Sequence, residues 1–238
     1  MKPVAIFRFS SSEGPGYFAD FLDEQGLPWH LIKIDAGDAV PKSINGYSGL
    51  CLMGGPMSVN DPLPWIPGVL QLIRAAYAHD VPIIGHCLGG QLMSKALGGR
   101  VRPNRVKELG WSALAPLPSD ETKKWLGIAA ETALTVFQWH GETFDLPTQA
   151  ELIATNSYCT NQMFALGPHF GMQCHIEMTP EMIESWCEQW DDEQVEPSAT
   201  VQTPAEMIAQ TAFSLPQLRV LADNVYGNWI RPLLQEKA

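Results

Sequence analysis

Over the first hundred residues, short unbroken apolar runs alternate with stretches where apolar residues recur every three or four positions. A run buried on both faces reads as a parallel strand, and the 3.6-residue recurrence reads as a helix lying against it. Val4 to Phe9 is the first such strand. Tyr17, Phe18, Phe21 and Leu22 then sit at helical spacing, and Gly26 ends the helix. Trp29 to Ile34 is a second strand and Leu50 to Met53 a third, broken by the turn Gly54-Gly55-Pro56. A helix near Ile66 to Ala78 leads into the very short strand Val81 to Ile84, and a further helix carrying Leu92, Met93 and Ala96 stops at Gly98-Gly99.

From Val101 to Cys174 the pattern changes to short runs punctuated by Pro and Gly, among them Trp111 to Ala115, Leu134 to Gln138 and Glu151 to Ala154. These read as antiparallel or mixed strands, with Gly171 to Glu177 as a last one. After Pro180 come a helix to about Trp190, a polar stretch from Asp191 to Thr203, and two helices, Ala205 to Phe213 and Leu215 to Ile230. The Trp and Met residues of these helices read as core packing. The expected fold is α/β, with a mostly parallel central sheet flanked by helices and additional antiparallel strands. It forms one domain over residues 1–238, helical from about residue 180.

Composition narrows the classes. Acidic side chains number 26 against 15 basic, a net charge of −11, and Lys123-Lys124 is the longest basic run. Such a chain repels a nucleic-acid backbone. No apolar run approaches the roughly 20 residues that cross a bilayer, and the N-terminus lacks an apolar leader. The five cysteines are odd in number and show no metal-like pairing. A cytoplasmic protein without a metal or other cofactor is therefore expected. The acidic stretch Glu188 to Glu196 reads as a solvated face.

One segment carries chemistry. Gly85-His86-Cys87-Leu88-Gly89 lies between a predicted strand and a predicted helix, where a sharp turn needs small residues on both sides of its central one. The turn lifts the Cys87 thiol clear of the backbone, and the following helix aims its free amide hydrogens at sulfur, favouring thiolate. Cys51, Cys159, Cys174 and Cys187 have no such context and read as structural. A thiolate nucleophile needs an imidazole, and the imidazole an orienting acceptor. His175 has Glu177 two residues on, which places both on one face of an extended segment. His140 competes, because Glu142 stands in the same relation to it. His86 has no evident carboxylate partner, and His30, His79 and His169 read as polar or surface residues.

With these residues in view, the sequence resembles the class I glutamine amidotransferase family, and the amidotransferase domain of GMP synthase within it. The likeness rests on Gly85-His86-Cys87-Leu88-Gly89-Gly90-Gln91, on His175-Ile176-Glu177, on Gly54-Gly55-Pro56 and on Trp139-His140-Gly141-Glu142. It covers residues 1 to about 180 and implies a flavodoxin-like three-layer fold. It also implies a triad of Cys87, His175 and Glu177, an oxyanion hole from the Gly55 and Leu88 main-chain amides, and substrate contacts from Gln91, Trp139, Gly141 and Glu142. Ile176 stands where the family often has proline, and Gly90 where bulkier residues are common. No phosphate-binding loop is present, so ammonia would pass to a separate acceptor synthetase or be discarded. The implied activity is release of ammonia and glutamate from glutamine through a γ-glutamyl thioester. Alternatives are a γ-glutamyl peptidase acting on glutathione-like compounds, and a non-catalytic binding protein on the same fold.

Overall fold

The computed structural model describes residues 1–127, 132–189 and 196–235. Nine strands form one sheet in the order β2-β1-β3-β4-β9-β8-β7-β5-β6. The parallel half contains β1 (Val4–Arg8), β2 (Trp29–Lys33), β3 (Gly49–Leu52), β4 (Ile83–His86) and β9 (His169–Met172). Antiparallel pairing then runs through β8 (Met163–Leu166), β7 (Glu151–Thr155), β5 (Val101–Pro116) and β6 (Leu134–Phe144). This is the mixed α/β architecture expected from the alternating pattern.

Both faces of β1, β3 and β4 are buried, which is why these strands read as apolar runs, whereas the edge strand β2 exposes His30 and Lys33. Along β1, Val4 and Ile6 enter one core layer, while Ala5 and Phe7 enter the other. The first layer is closed by α1 (Tyr17–Glu24), α4 (Asp120–Leu126), α5 (Pro180–Glu188) and α6 (Pro204–Gln235); the second by α2 (Ile66–Ala78) and α3 (Leu88–Ala96).

Four elements differ from the sequence expectation. The pattern predicts two C-terminal helices, Ala205 to Phe213 and Leu215 to Ile230, yet α6 runs unbroken between them and through Pro216. Leu218, Leu221, Val225, Trp229 and Ile230 stay in helical phase and are buried. At about 1.5–3 kcal/mol for each large apolar side chain buried, their packing outweighs the roughly 3 kcal/mol that an interior proline costs. β5 and β6 are longer than their apolar cores, with an irregularity between Pro103 and Glu108, so Trp139 to Glu142 lie in a strand. Finally, β9 ends at Met172; His175 continues it only through an isolated bridge, its N–H donating to the Phe137 carbonyl at 2.8 Å. The acidic stretch 190–195 lies outside the described residues.

Candidate active site

The parallel strands deliver their following loops to one end of the sheet, where open α/β sheets place their ligand crevices. The loop after β4 has no length at all. Cys87 is at once the residue after the strand and the N-cap of α3, with φ 47° and ψ −106°. A non-glycine residue held there stores strain that its surroundings must over-determine. The neighbouring glycines do so by close approach. A Cβ at Gly85 would lie 2.5 Å from the Gly89 carbonyl carbon, one at Gly89 would lie 2.1 Å from the Leu52 oxygen, and one at Gly90 would lie 2.4 Å from the Met172 oxygen. Gly90 is therefore a packing requirement of α3 against β9.

Cys87 is 6% exposed and opens onto a cavity of about 530 Å³. Its Sγ accepts from Gln173 Nε2 at 3.5 Å and lies 3.8 Å from the Trp139 carbonyl oxygen. It faces the ring of His175, whose Nδ1–H donates to Glu177 Oε1 at 2.6 Å. Both partners are buried. Burial by itself would push the imidazole down, but the Glu177 charge and hydrogen bond outweigh it and hold His175 well above the usual histidine range. For Glu177, burial acts upward and is overcome by His175 and His86, so its carboxyl is held at about 2. The pair is arranged to keep its charges.

Behind Glu177 stands a residue with no local signal for that place. His86 had shown no carboxylate partner, yet its Nε2 lies 3.9 Å from Glu177 Oε2 and 3.0 Å from the Tyr226 hydroxyl. Its Nδ1 is 3.9 Å from Cys51 Sγ. Burial pushes His86 down, against the pull of Glu177. His140, the rival of His175, finds a different acid from the one expected. Its Nδ1 bonds the backbone oxygen of Glu142 at 2.9 Å, while its Nε2 lies 3.2 Å from Glu108 on the paired strand. His169, read as a surface residue, is 1% exposed beside Tyr77, and burial holds it at about 4.

Of the remaining expected residues, Gly55, Gln91, Trp139, Gly141 and Glu142 line the same cavity, while the Leu88 side chain is fully buried. Gly55 packs directly against Leu88: a Cβ there would meet Leu88 Cδ2 at 2.8 Å. Trp139, Gly141 and Glu142 form one wall, and Ser58 donates to Glu142 at 3.0 Å. Gln91 reaches the cavity but is buried, its Nε2 donating to Gln173 at 3.2 Å. Glu13, Ser58, Lys107 and Gln173 carried no sequence signal for this place. They arrive from loops and strand ends whose convergence depends on the sheet order.

Residues 19–185 match the family model described as glutamine amidotransferase class-I. The chain belongs to that family. As a class-I glutamine amidotransferase it is 29% identical to the glutamine amidotransferase-like protein YfeJ of Salmonella typhimurium, over 73% of this chain and 75% of that one. It is 24% identical to gamma-glutamyl peptidase 3 of Arabidopsis thaliana, over 71% of each. The GMP synthase of Azoarcus matches at 29% identity over 75% of this chain and 34% of its own length. Among solved structures, a glutamine amido transferase from Methylobacillus flagellatus superposes with TM-score 0.94 at 41% identity, covering 98% of this chain and 95% of that one.

One further cluster in this family member has metal-ligating types. Donor atoms of Glu108, His140 and Cys159 lie within 4.8 Å of one another, all buried. Protein partners already occupy them. Glu108 accepts from Asn156 at 2.5 Å and from Gln162 at 3.0 Å, and Cys159 pairs with Thr143 at 3.2 Å. Burial pushes the Cys159 thiol up to about 11, which opposes metal binding, since a metal binds the thiolate. The cluster braces β5 and β6 behind the cavity wall. Among the described residues, no helix is long and apolar enough to cross a membrane.

Proposed function

We propose that the protein hydrolyses the side-chain amide of glutamine, or of a close γ-glutamyl amide, by cysteine acyl transfer. Cys87 attacks the γ-carbonyl carbon as thiolate, and the Gly55 and Leu88 amides stabilise the oxyanion. His175 gives its proton to the departing nitrogen, and the C–N bond breaks to leave a γ-glutamyl thioester. The same imidazole then takes a proton from water; the C–S bond breaks, and glutamate and the thiolate are released. Glu177 fixes the ring with Nε2 toward sulfur. Glu142 is suited to the substrate's α-ammonium, with Gln91, Trp139 and Gly141 completing the glutamyl end. No cofactor takes part. Released ammonia goes to solvent or to a separate synthetase, and the five free cysteines suit a cytosolic setting.

The observation that carries this reading is a strained cysteine at a helix N-terminus, facing a buried His–Glu pair at the mouth of a cavity. The cavity is roomy enough for a substituent beyond the amide, which keeps a γ-glutamyl peptidase as the second reading. Treatment with an electrophilic glutamine analogue should label Cys87 and block glutamate release from glutamine. Activity confined to γ-glutamyl dipeptides would favour the second reading. Absence of both labelling and turnover would leave a binding protein on this fold.

A further inference from the structure

A carboxylate outside the His–Glu pair projects into the cavity. Glu13 sits in the loop between β1 and α1, where its backbone N–H donates to the Ser10 carbonyl at 3.1 Å. The loop is pinned from α5, because Trp186 Nε1 donates to the Ser12 carbonyl at 2.8 Å. The same indole meets the His175 ring edge-on, with centroids 4.9 Å apart. One side chain thus fixes Glu13 and His175 relative to each other. Their nearness is measured at Gly54, where a Cβ would lie 2.0 Å from Glu13 Oε2 and 2.9 Å from His175 Cε1. No other residue type fits at Gly54 while both stay in place.

We propose that Glu13 sets leaving-group specificity: its carboxylate flanks the path of the departing amine and selects γ-glutamyl amides whose amine bears no anion over γ-glutamyl amino acids. This rests on the proposed roles of Cys87, His175 and Glu177. The amine nitrogen takes its proton from His175 and so departs on the imidazole's side of the thioester, the side Glu13 occupies. Ammonia, a neutral alkylamine or a cationic amine meets an acceptor there. The α-carboxylate of a departing amino acid meets a like charge in a partly desolvated wall. Lys107, a cationic residue lining the cavity, lies beside Gly141.

Burial raises the Glu13 carboxyl to about 7, with Glu177 adding to the rise and His175 opposing it. The groups facing Glu13 are His175 and Glu177 from the segment after β9 and Cys87 from the elbow. Lys107 on β5 and Glu142 on β6 line the same cavity. Selection is therefore expected to sharpen with pH, as the carboxyl ionises.

The test compares γ-glutamylglycinamide with γ-glutamylglycine, which match in size and differ in the leaving group's charge. The wild-type protein should favour the glycinamide by about tenfold in kcat/KM, as expected for one like-charge contact across a solvated pocket. Glu13→Gln should bring the two within about twofold, chiefly through a fall in the KM of the dipeptide relative to that of the glycinamide. In the unmodified protein the preference should grow between about pH 6 and about pH 8, a readout that needs no variant. An unchanged preference in Glu13→Gln, or a pH-independent one in the wild type, would overturn the assignment. If both substrates are cleaved through Cys87 with no such preference, this inference alone fails. If Cys87 is never acylated, the underlying reading fails with it.

Discussion

Replacing Glu177 by Gln keeps the shape of the side chain and removes the charge that His175 is built around. The two groups meet at 2.6 Å, each about 1% exposed, so almost no solvent is available to replace the lost partner. Removing one member of a buried ion pair costs about 3–5 kcal/mol. Without Glu177 the buried ring no longer rests as an imidazolium, and the cation that delivers the proton must form, uncompensated, on the way to the transition state. The loss therefore falls on the barrier, and at 1.36 kcal/mol per decade it amounts to about two to four decades in kcat/KM. A glutamine amide at this place can also donate to Nδ1, which favours the wrong tautomer and pushes toward the larger figure. Glutamate release from glutamine gives the rate. Imidazole titration by NMR gives an independent readout, since burial would then be opposed by Cys87 alone and His175 should titrate well below its wild-type position. A loss smaller than tenfold, with His175 still titrating high, would refute the argument.

The same pair sets the acid limit of the fold. Glu177 is held at about 2 against an ordinary 4.5, so its contribution is present above about 4.5 and lost as pH falls toward 2; thermal midpoints should fall over that window in the wild type and much less in Glu177→Gln. Cys87→Gly should raise the urea midpoint by an amount worth about 1 kcal/mol while abolishing labelling by the glutamine analogue, because glycine removes the strain at φ 47°. Gly89→Ala should destabilise by about 3 kcal/mol or more, as its Cβ would meet the Leu52 oxygen at 2.1 Å. At Gly46, where nothing lies within 4 Å, the same change should stay within about 0.5 kcal/mol; equal midpoints for the two variants would contradict the close-packing account of the elbow.

What was legible in the chain was local. The elbow could be read because strand, glycines and helix fall within eighteen residues, and each glycine answers to a backbone contact the turn imposes. The His175–Glu177 pairing could be read because residues two apart in extended backbone share a face, and this survives although β9 ends at Met172. Distant convergence was not legible. His86 and Tyr226 stand 140 positions apart and meet only because α6 crosses behind β4, while Glu108 reaches His140 through strand register. The break expected between Phe213 and Leu215 is absent for the opposite reason, since burial accumulated along α6 carries the helix through Ser214 and Pro216.

The path of α6 governs how the protein comes to life on the ribosome. β1, β3 and β4 emerge early with the strained turn at their end, but the Tyr226 hydroxyl that supports His86 behind Glu177 is supplied more than forty residues after His175. Until that stretch clears the exit tunnel, the acid that orients the ring has no finished wall at its back. A nascent chain would thus carry an exposed thiol without organised proton-transfer machinery, and hydrolytic competence would switch on late, at the docking of one helix.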